Sequence, residues 1–262
     1  RDRYSCEGLC ADDRAQKPMV REGGVWREVD WETALEAAAR GLQRVVREHG
    51  AGQLGVLVSP AATTEEAYLA ARVARGLGSE NVDHRLRRQD FRDAAGDPLA
   101  PTLGCSIAEL GSASAVVLVG WDVRKEVPII AHRIRQGAVR HGSRVASIST
   151  RAVNVMFPLV ANLASNGYGM AQHLAAVLAA ALRAAGQSAP ASVAAALEGV
   201  APTAEHERIA AMLSQGGLRL ILLGALAERH AAFAELRALA AALAAVTGAR
   251  LGYLPEGGNA VG

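Results

Sequence analysis

Short apolar runs alternate with segments of helical periodicity along most of this chain. The apolar runs have the length of buried strands, and they comprise residues 54–58, 115–119, 144–148, 218–223 and 250–254. Apolar residues recur at helical spacing in residues 63–78, 128–141, 169–185, 205–213 and 231–246, whereas residues 157–163 fit neither pattern clearly. Apolar strands joined by helices are typical of a mostly parallel sheet that is covered on both faces. The pattern predicts an α/β fold, doubly wound and Rossmann-like.

The first 50 residues have a different pattern. Residues 19–29 predict a short hairpin that turns at two glycines, and a helix with a good capping residue begins at Trp31. We therefore expect an N-terminal hairpin and helix in residues 1–50 and a Rossmann-like α/β domain in residues 51–262. Closely spaced Pro and Gly residues predict an insertion in residues 186–203.

Composition excludes several classes of function. Half of the 262 residues are hydrophobic and only 4% are aromatic, so the core must consist largely of Ala, Leu and Val. The 28 basic and 26 acidic residues give a net charge of +2, which provides no field for nucleic acid or anionic lipid. No apolar stretch approaches the roughly 20 residues of a membrane-spanning helix. We therefore expect no nucleic-acid partner and no direct membrane insertion.

The three cysteines, Cys6, Cys10 and Cys105, do not indicate a metal site. They are too few for a disulfide scaffold, and an iron–sulfur cluster needs about four thiolate ligands. No histidine has a partner at metal-ligand spacing, and the chain has no Ser-His-Asp or Cys-His signature of nucleophilic catalysis. The residues therefore predict no metal and no catalytic group in this part of the protein.

Two strand ends carry candidate ligand-binding residues, because ligands of doubly wound sheets bind where strands end and helices begin. Gly120 is followed by Arg124 and Lys125, and the strand at residues 144–148 is followed by Arg151. These cations could meet a phosphate, or they could be solvated loop charges beside a packing glycine. The chain has neither a Gly-x-Gly-x-x-Gly fingerprint nor a Walker motif, so the residues alone leave the ligand open.

The densest basic run covers residues 84–92 and contains four arginines. It could bind an anionic cofactor or a partner surface, or its arginines could form surface ion pairs with Asp83, Asp90 and Asp93. We predict that this run faces partner subunits.

An extended motif in the first 35 residues indicates a family. It consists of residues 3–4, 7–9, 13–14, 17–21, 24–26 and 29–35, which read Arg-Tyr, Glu-Gly-Leu, Asp-Arg, Lys-Pro-Met-Val-Arg, Gly-Val-Trp and Val-Asp-Trp-Glu-Thr-Ala-Leu. In order and spacing it resembles the segment that follows the cluster-binding cysteines of molybdopterin oxidoreductases. Residues 81–84 resemble the Asn-Val-Asp-His of formate dehydrogenases. Residues 124–135 and 257–262 are more similar to the large iron–sulfur subunit of respiratory complex I.

Three elements that hold the molybdopterin in that family are altered here. Aligned from Asn81, the metal-ligand position carries Gln89, and a carboxamide is a poor substitute for the soft ligands of molybdenum. The dinucleotide loop Gly-Ser-Asn-Pro reads Gly-Trp-Asp-Val at residues 120–123, and its aspartate opposes a phosphate. The loop Ile-Asp-Pro-Arg, whose aspartate faces a guanine, reads Ile-Ser-Thr-Arg at residues 148–151. The residues of the remnant cleft are Gly120, Trp121, Asp122, Arg124, Lys125, Arg151 and Gln89.

The resemblance implies a non-catalytic, structural region of the complex I iron–sulfur subunit, without a cofactor of its own. The cluster cysteines of such a subunit would precede Arg1, and its [4Fe–4S] and [2Fe–2S] clusters would relay electrons from NADH toward quinone. As part of this proton-translocating NADH:quinone oxidoreductase, the region would contact other subunits of the peripheral arm. The assembly would lie at the cytoplasmic face of the bacterial inner membrane.

Two alternatives stay open. The chain could belong to a true molybdopterin-dependent enzyme of the formate dehydrogenase or nitrate reductase type, although Gln89, Trp121 and Asp122 argue against this. It could also be a nucleotide-binding module such as the central domain of a thiamine-diphosphate enzyme, which the motif in the first 35 residues disfavours.

Overall fold

The structure, a computed structural model, describes residues 8, 10–84, 90, 92, 101–254 and 257. It contains two compact units, Arg1–Arg85 with Gly262 (unit 1) and Leu86–Val261 (unit 2). The sequence placed the first boundary after residue 50. The structure places it later, because the next two strands pair with each other and not with the main sheet.

Unit 1 consists of a hairpin, two helices and a small parallel sheet. The hairpin strands β1 (Met19–Glu22) and β2 (Val25–Glu28) are antiparallel, and α1 follows at Trp31–His49. Asp30 caps α1 by accepting a hydrogen bond from the Thr33 amide at 2.8 Å. After a 3₁₀ turn, the remaining elements are β3 (Val56–Leu57), α2 (Thr64–Gly76) and β4 (Val82–Asp83), and β3 pairs with β4 in parallel.

The predicted strand at residues 54–58 is therefore corrected in two respects. Only Val56 and Leu57 have strand pairing, and their partners are Val82 and Asp83. The apolar run was read as a strand of the main sheet, but Leu57 is 52% exposed, so one side of this short strand is not covered as a central strand would be.

Unit 2 contains the predicted doubly wound sheet. Its five parallel strands have the order β7-β6-β5-β8-β9, with bounds β5 Ala115–Val119, β6 Arg144–Ser149, β7 Ala161–Ala164, β8 Arg219–Leu223 and β9 Arg250–Tyr253. Its helices are α3 Ile107–Leu110, α4 Val123–Glu126, α5 Pro128–Arg140, α6 Gly169–Ala185, α7 Ala204–Leu213, α8 Ala225–Glu228 and α9 Phe233–Thr247. The α/β class and the parallel sheet are confirmed, and the ambiguous segment at residues 157–163 leads into an additional strand, β7.

Side chains of the central strand β5 alternate between two apolar layers. Val117 and Val119 pack with α6, α7 and α9, whereas Val116 and Leu118 pack with α3, α4 and α5. All five residues of β5 are fully buried, which is why this run was the clearest strand signal in the sequence. Residues 186–203, predicted as an insertion, form turns and a 3₁₀ helix (Ala195–Leu197) between α6 and α7.

Candidate functional site at the carboxyl edge of the parallel sheet

The strand order creates one switch point in unit 2. From β5 the chain continues to β6 and β7 on one side, and it later adds β8 and β9 on the other side. The chain segments that follow β5 and β8 therefore lead to opposite sides of the sheet. Open α/β sheets bind their ligands at the carboxyl ends of two such strands. Val119 and Leu223 are the last residues of these two strands and are paired in register. The candidate site is formed by the residues that follow them.

Backbone hydrogen bonds draw the two strand ends together. The Gly224 amide donates to the Val119 carbonyl at 2.9 Å, and the Leu226 amide donates to the Gly120 carbonyl at 3.0 Å. Gly120 has φ +67°, and a Cβ at this position would overlap the backbone nitrogen of Ala227. A glycine is therefore required at residue 120 both for its conformation and for the close approach of α8.

Trp121 fills the space between these strand ends. Its side chain is only 1% exposed, and a Cβ built on Gly224 would overlap its Cγ atom. The indole thus packs directly on the backbone at the start of α8, and it forms part of the apolar layer that includes Val123. The position that resembles the serine of a dinucleotide loop is a core residue here.

The side chain of Asp122 forms an ion pair within the site. Its Oδ2 lies 3.0 Å from Nη2 of Arg151, and its side chain is 13% exposed whereas that of Arg151 is 63% exposed. The Asp122 amide donates to a carboxylate oxygen of Glu126 at 3.2 Å, which fixes the start of α4. The structure therefore brings together four of the predicted residues, Gly120, Trp121, Asp122 and Arg151, as a closed packing and ion-pair arrangement.

The remaining predicted residues do not complete a ligand site. Arg124 and Lys125 lie on α4 and are exposed, and no ion pair joins them to another described residue. Gln89 lies outside the residues that the structure describes, as do Cys6 and most of the basic run at residues 84–92. Ser149, at the position resembling the guanine-facing aspartate, is 1% exposed, and its hydroxyl has no hydrogen-bond partner among the described residues.

A molybdopterin dinucleotide does not fit these residues. Trp121 packs against the backbone at the start of α8, and Asp122 adds a negative charge at the same edge, which would oppose a phosphate. Arg151 is already paired with Asp122. No group of three or more His, Cys, Asp or Glu side chains among the described residues could hold a metal ion.

Asp90 has a role that sequence reasoning missed. It was read as one acid in a set of surface ion pairs, but its side chain is only 5% exposed. It accepts two hydrogen bonds from the Arg92 guanidinium, at 2.9 and 2.8 Å, and one from the Ala234 amide at the start of α9 at 3.0 Å. The Arg92 hydrogen bonds hold the pKa of the Asp90 carboxyl well below its usual range. The acid stabilises a helix start, and only the tertiary contact with Ala234 reveals this.

A histidine pair was also missed, in which His206 is buried and His173 is half-buried. The Thr203 amide donates to His206 Nδ1 at 3.0 Å, so His206 carries its proton on Nε2, which lies 2.9 Å from His173 Nδ1. His173 therefore accepts at Nδ1, and a hydrogen bond with the Ala164 backbone opposes the lowering of its pKa. Burial lowers the pKa of both rings, and for His206 the proximity of His173 lowers it further. The pair links β7, α6 and the start of α7 in the neutral state.

Comparison with known proteins identifies the family of this chain. The family model described as "Molybdopterin oxidoreductase" matches residues 14–257, so the chain belongs to the molybdopterin oxidoreductase family. This confirms the family resemblance of the sequence motifs. None of the described helices combines the length and apolar character needed to cross a membrane.

Curated relatives include proteins named as oxidoreductases. A Staphylococcus haemolyticus protein named "Putative formate dehydrogenase" is 31% identical over 149 residues, which cover 55% of this chain and 15% of that protein. The Bacillus subtilis protein "Probable oxidoreductase YjgC" is 30% identical over the same length and the same shares. The chain therefore matches only a small part of these relatives' length.

Two solved structures share the fold. Acetylene hydratase from Pelobacter acetylenicus superposes with a TM-score of 0.60 at 14% identity, covering 92% of this chain and 36% of the hydratase. A chain of the formyltransferase/hydrolase complex from Methylorubrum extorquens has a TM-score of 0.58 at 21% identity, covering 93% of this chain and 62% of its own length. These similarities concern the fold alone.

Proposed function

We propose that this chain is a structural, non-catalytic region of a larger oxidoreductase subunit. The observation that carries the proposal is the buried indole of Trp121 at the switch point, packed against Gly224. A working dinucleotide site needs open space and donors for phosphate at that edge. Here the space is filled by an apolar ring, and the adjacent charge is the anionic Asp122.

The first candidate for the whole protein is the iron–sulfur subunit of complex I. The similarity of residues 124–135 and 257–262 to that branch supports this proposal. In such a protein, [4Fe–4S] and [2Fe–2S] clusters outside this region relay electrons from NADH toward quinone. This region then contacts other subunits of the peripheral arm at the cytoplasmic face of the bacterial inner membrane.

The second candidate is a molybdopterin-dependent enzyme of the formate dehydrogenase type. The names of the curated relatives favour it, and they give it more support than they give complex I. In that protein, residues outside the described part would have to hold the cofactor, because Trp121 and Asp122 leave no room for it at this edge.

Metal analysis of the full-length protein, isolated with its bound partners, separates the two candidates. For the complex I subunit we expect stoichiometric iron, no stoichiometric molybdenum, and NADH-dependent quinone reduction by the assembly. Stoichiometric molybdenum with formate oxidation would instead establish the second candidate and overturn the non-catalytic proposal.

The variant Asp122→Asn tests the role of the candidate site itself. In a structural region it should leave turnover per assembled complex unchanged, because no cofactor phosphate lies beside residue 122. Asp12→Asn, which changes the same charge at an exposed position of unit 1, is the matched control. A selective loss of turnover in Asp122→Asn, at normal assembly, would mean that this edge takes part in catalysis.

A further inference from the structure

Unit 2 has a long stretch of chain without acidic residues. Between Glu126 and Glu198 the sequence contains six arginines and no Asp or Glu. The whole chain is nearly neutral, with 28 basic and 26 acidic residues, so the imbalance is local. Such a segment cannot neutralise its own charges.

Three of these six arginines, Arg133, Arg135 and Arg140, lie on the exposed side of α5, and the α4 residues Arg124 and Lys125 precede them in the chain. The α4–α5 surface is defined by eight exposed residues, Arg124, Lys125, Ile129, Arg133, Arg135, Val139, Arg140 and Met156. The opposite side of α5 is buried, because Ile130 and Ile134 pack in the apolar layer of the sheet. The cations of α5 therefore face solvent, while the other side of the helix packs on the sheet.

The five cations of the α4–α5 surface form no ion pair with any described residue, in contrast to arginines on the other side of the sheet. There, Arg183 of α6 pairs with Glu207 at 3.4 Å, and Arg208 of α7 pairs with Glu205 at 3.6 Å. On the α4–α5 surface, Glu126 is the nearest acid in sequence, and its carboxylate accepts from the Asp122 amide. The positive charge of the α4–α5 surface thus has no ion-pair partner in the part of unit 2 that the structure describes.

Large apolar side chains lie among these cations. Ile129 is 66% exposed, Val139 is 58% exposed and Met156 is 64% exposed. Met156 also has φ +57°, a left-handed conformation that costs a non-glycine residue about 1 kcal/mol or more. Its carbonyl accepts a hydrogen bond from Arg135 Nε at 3.4 Å, which attaches the loop to α5. A strained backbone that exposes a methionine beside an arginine is typical of a binding surface.

We propose that the α4–α5 surface binds an acidic surface of another protein subunit. The proposal rests on the structural role given under Proposed function, and it names the surface through which that role is exerted. Arg and Met are enriched in protein–protein interfaces whereas Lys is depleted, and four of the five cations here are arginines. The surface has no aromatic ring on which a nucleic-acid base could stack, and its apolar side chains would oppose contact with phosphates. A symmetric contact with a second copy would bring like charges together.

Site-specific photo-cross-linking in the full-length protein tests the proposal. A benzophenone side chain at Val139 is expected to cross-link, within the purified native assembly, to a subunit peptide that carries several Asp or Glu residues. Replacing Arg133 and Arg140 by Glu should lower the yield of the assembled complex about tenfold. This loss of yield should be smaller at high salt than at low salt. Reversing the charge of the cross-linked acid should then restore assembly with the Arg133→Glu, Arg140→Glu variant.

The matched control reverses two arginines on the opposite side of the sheet, Arg183→Glu and Arg208→Glu, and should leave assembly unchanged. Cross-links to lipid or nucleic acid, cross-links only within this chain, or no cross-link would each overturn the proposal. So would equal losses in both double variants. Stoichiometric molybdenum, by contrast, would refute the proposed function without affecting the cross-link result, so the two failures are distinguishable.

Discussion

The two units differ in what stabilises them. Unit 2 has two apolar layers around a sheet whose central strand is fully buried. In the described part of unit 1, only Leu54, Ala74 and Ser79 are buried, and α1 has no buried residue at all. Because burial of apolar surface is the main stabilising term of folding, unit 2 is stabilised by its own core. The described part of unit 1 buries few side chains, so comparable substitutions in the two units should have unequal effects.

The largest expected difference concerns two tryptophans. Trp121→Ala removes a ring that is 1% exposed, and we expect it to lower the free energy of unfolding by about 3–5 kcal/mol. Trp31→Ala, at a residue that is 70% exposed in α1, should change it by less than about 0.5 kcal/mol. Urea denaturation monitored by far-ultraviolet circular dichroism measures both values. Similar losses for the two variants would contradict the comparison.

A pair of glycines sharpens the comparison within unit 2. Gly120 and Gly142 have similar φ values of +67° and +69°, but a Cβ meets Ala227 at the first and nothing within 4 Å at the second. Gly142→Ala should therefore lower the free energy of unfolding by about 1 kcal/mol, through the strain of the left-handed conformation alone. Gly120→Ala adds an overlap with the backbone of α8 and should lower the free energy of unfolding by about 3 kcal/mol. Equal losses in thermal unfolding would mean that the carboxyl edge is not closely packed.

The stability of unit 2 should also depend on pH, because His173 and His206 lie in this unit. The pKa values of His173 and His206 are lowered in the folded state, chiefly by burial, while Glu205 opposes the shift. The unfolded chain therefore takes up protons first as the pH falls. Their contribution to stability is complete above pH 6.5, the ordinary histidine value, and is lost as the pH falls through the lowered pKa. The Arg183–Glu207 ion pair joins the same two helices.

Denaturation at a series of pH values measures this effect. The double variant His173→Gln, His206→Gln should be less stable at neutral pH, because the hydrogen bonds to Thr203 and Ala164 are disturbed, and its stability should depend less on pH between 7 and 5. An unchanged pH profile would show that the pair does not titrate on unfolding.

The last prediction concerns the capping of a helix in unit 1. Thr63 caps α2 by accepting from the Glu66 amide, and Glu66 accepts in return from the Thr63 amide at 2.8 Å. Thr63→Ala should destabilise α2 by about 1 kcal/mol, seen as faster amide hydrogen exchange in that helix. Thr63→Ser, which keeps the hydroxyl, is the control and should preserve protection. Faster exchange throughout unit 2 would show that the two units do not unfold independently.

Local patterns predicted the hairpin and both helices of unit 1 as well as the parallel sheet of unit 2, but they did not predict that the run at residues 54–58 pairs in a separate sheet. The run at residues 115–119 is buried on both faces, so its composition alone indicates a central parallel strand. The run at residues 54–58 has a similar composition, yet only Val56 and Leu57 pair, in a separate sheet. Apolar character reports that a segment prefers burial, but it does not identify the strand with which the segment pairs. The short strand β7 was unclear because Asn162, whose amide bonds to Val153, interrupts its apolar pattern.

The sequence by itself determined the class of fold and the family, because these depend on residue types in order. Only the tertiary structure decided that Trp121 fills the crevice, that Asp122 pairs with Arg151, and that Asp90 caps α9. Asp90 and Ala234 are 144 residues apart in the chain. Contacts of this kind depend on which elements the sheet brings together, and no local pattern encodes the distance between them.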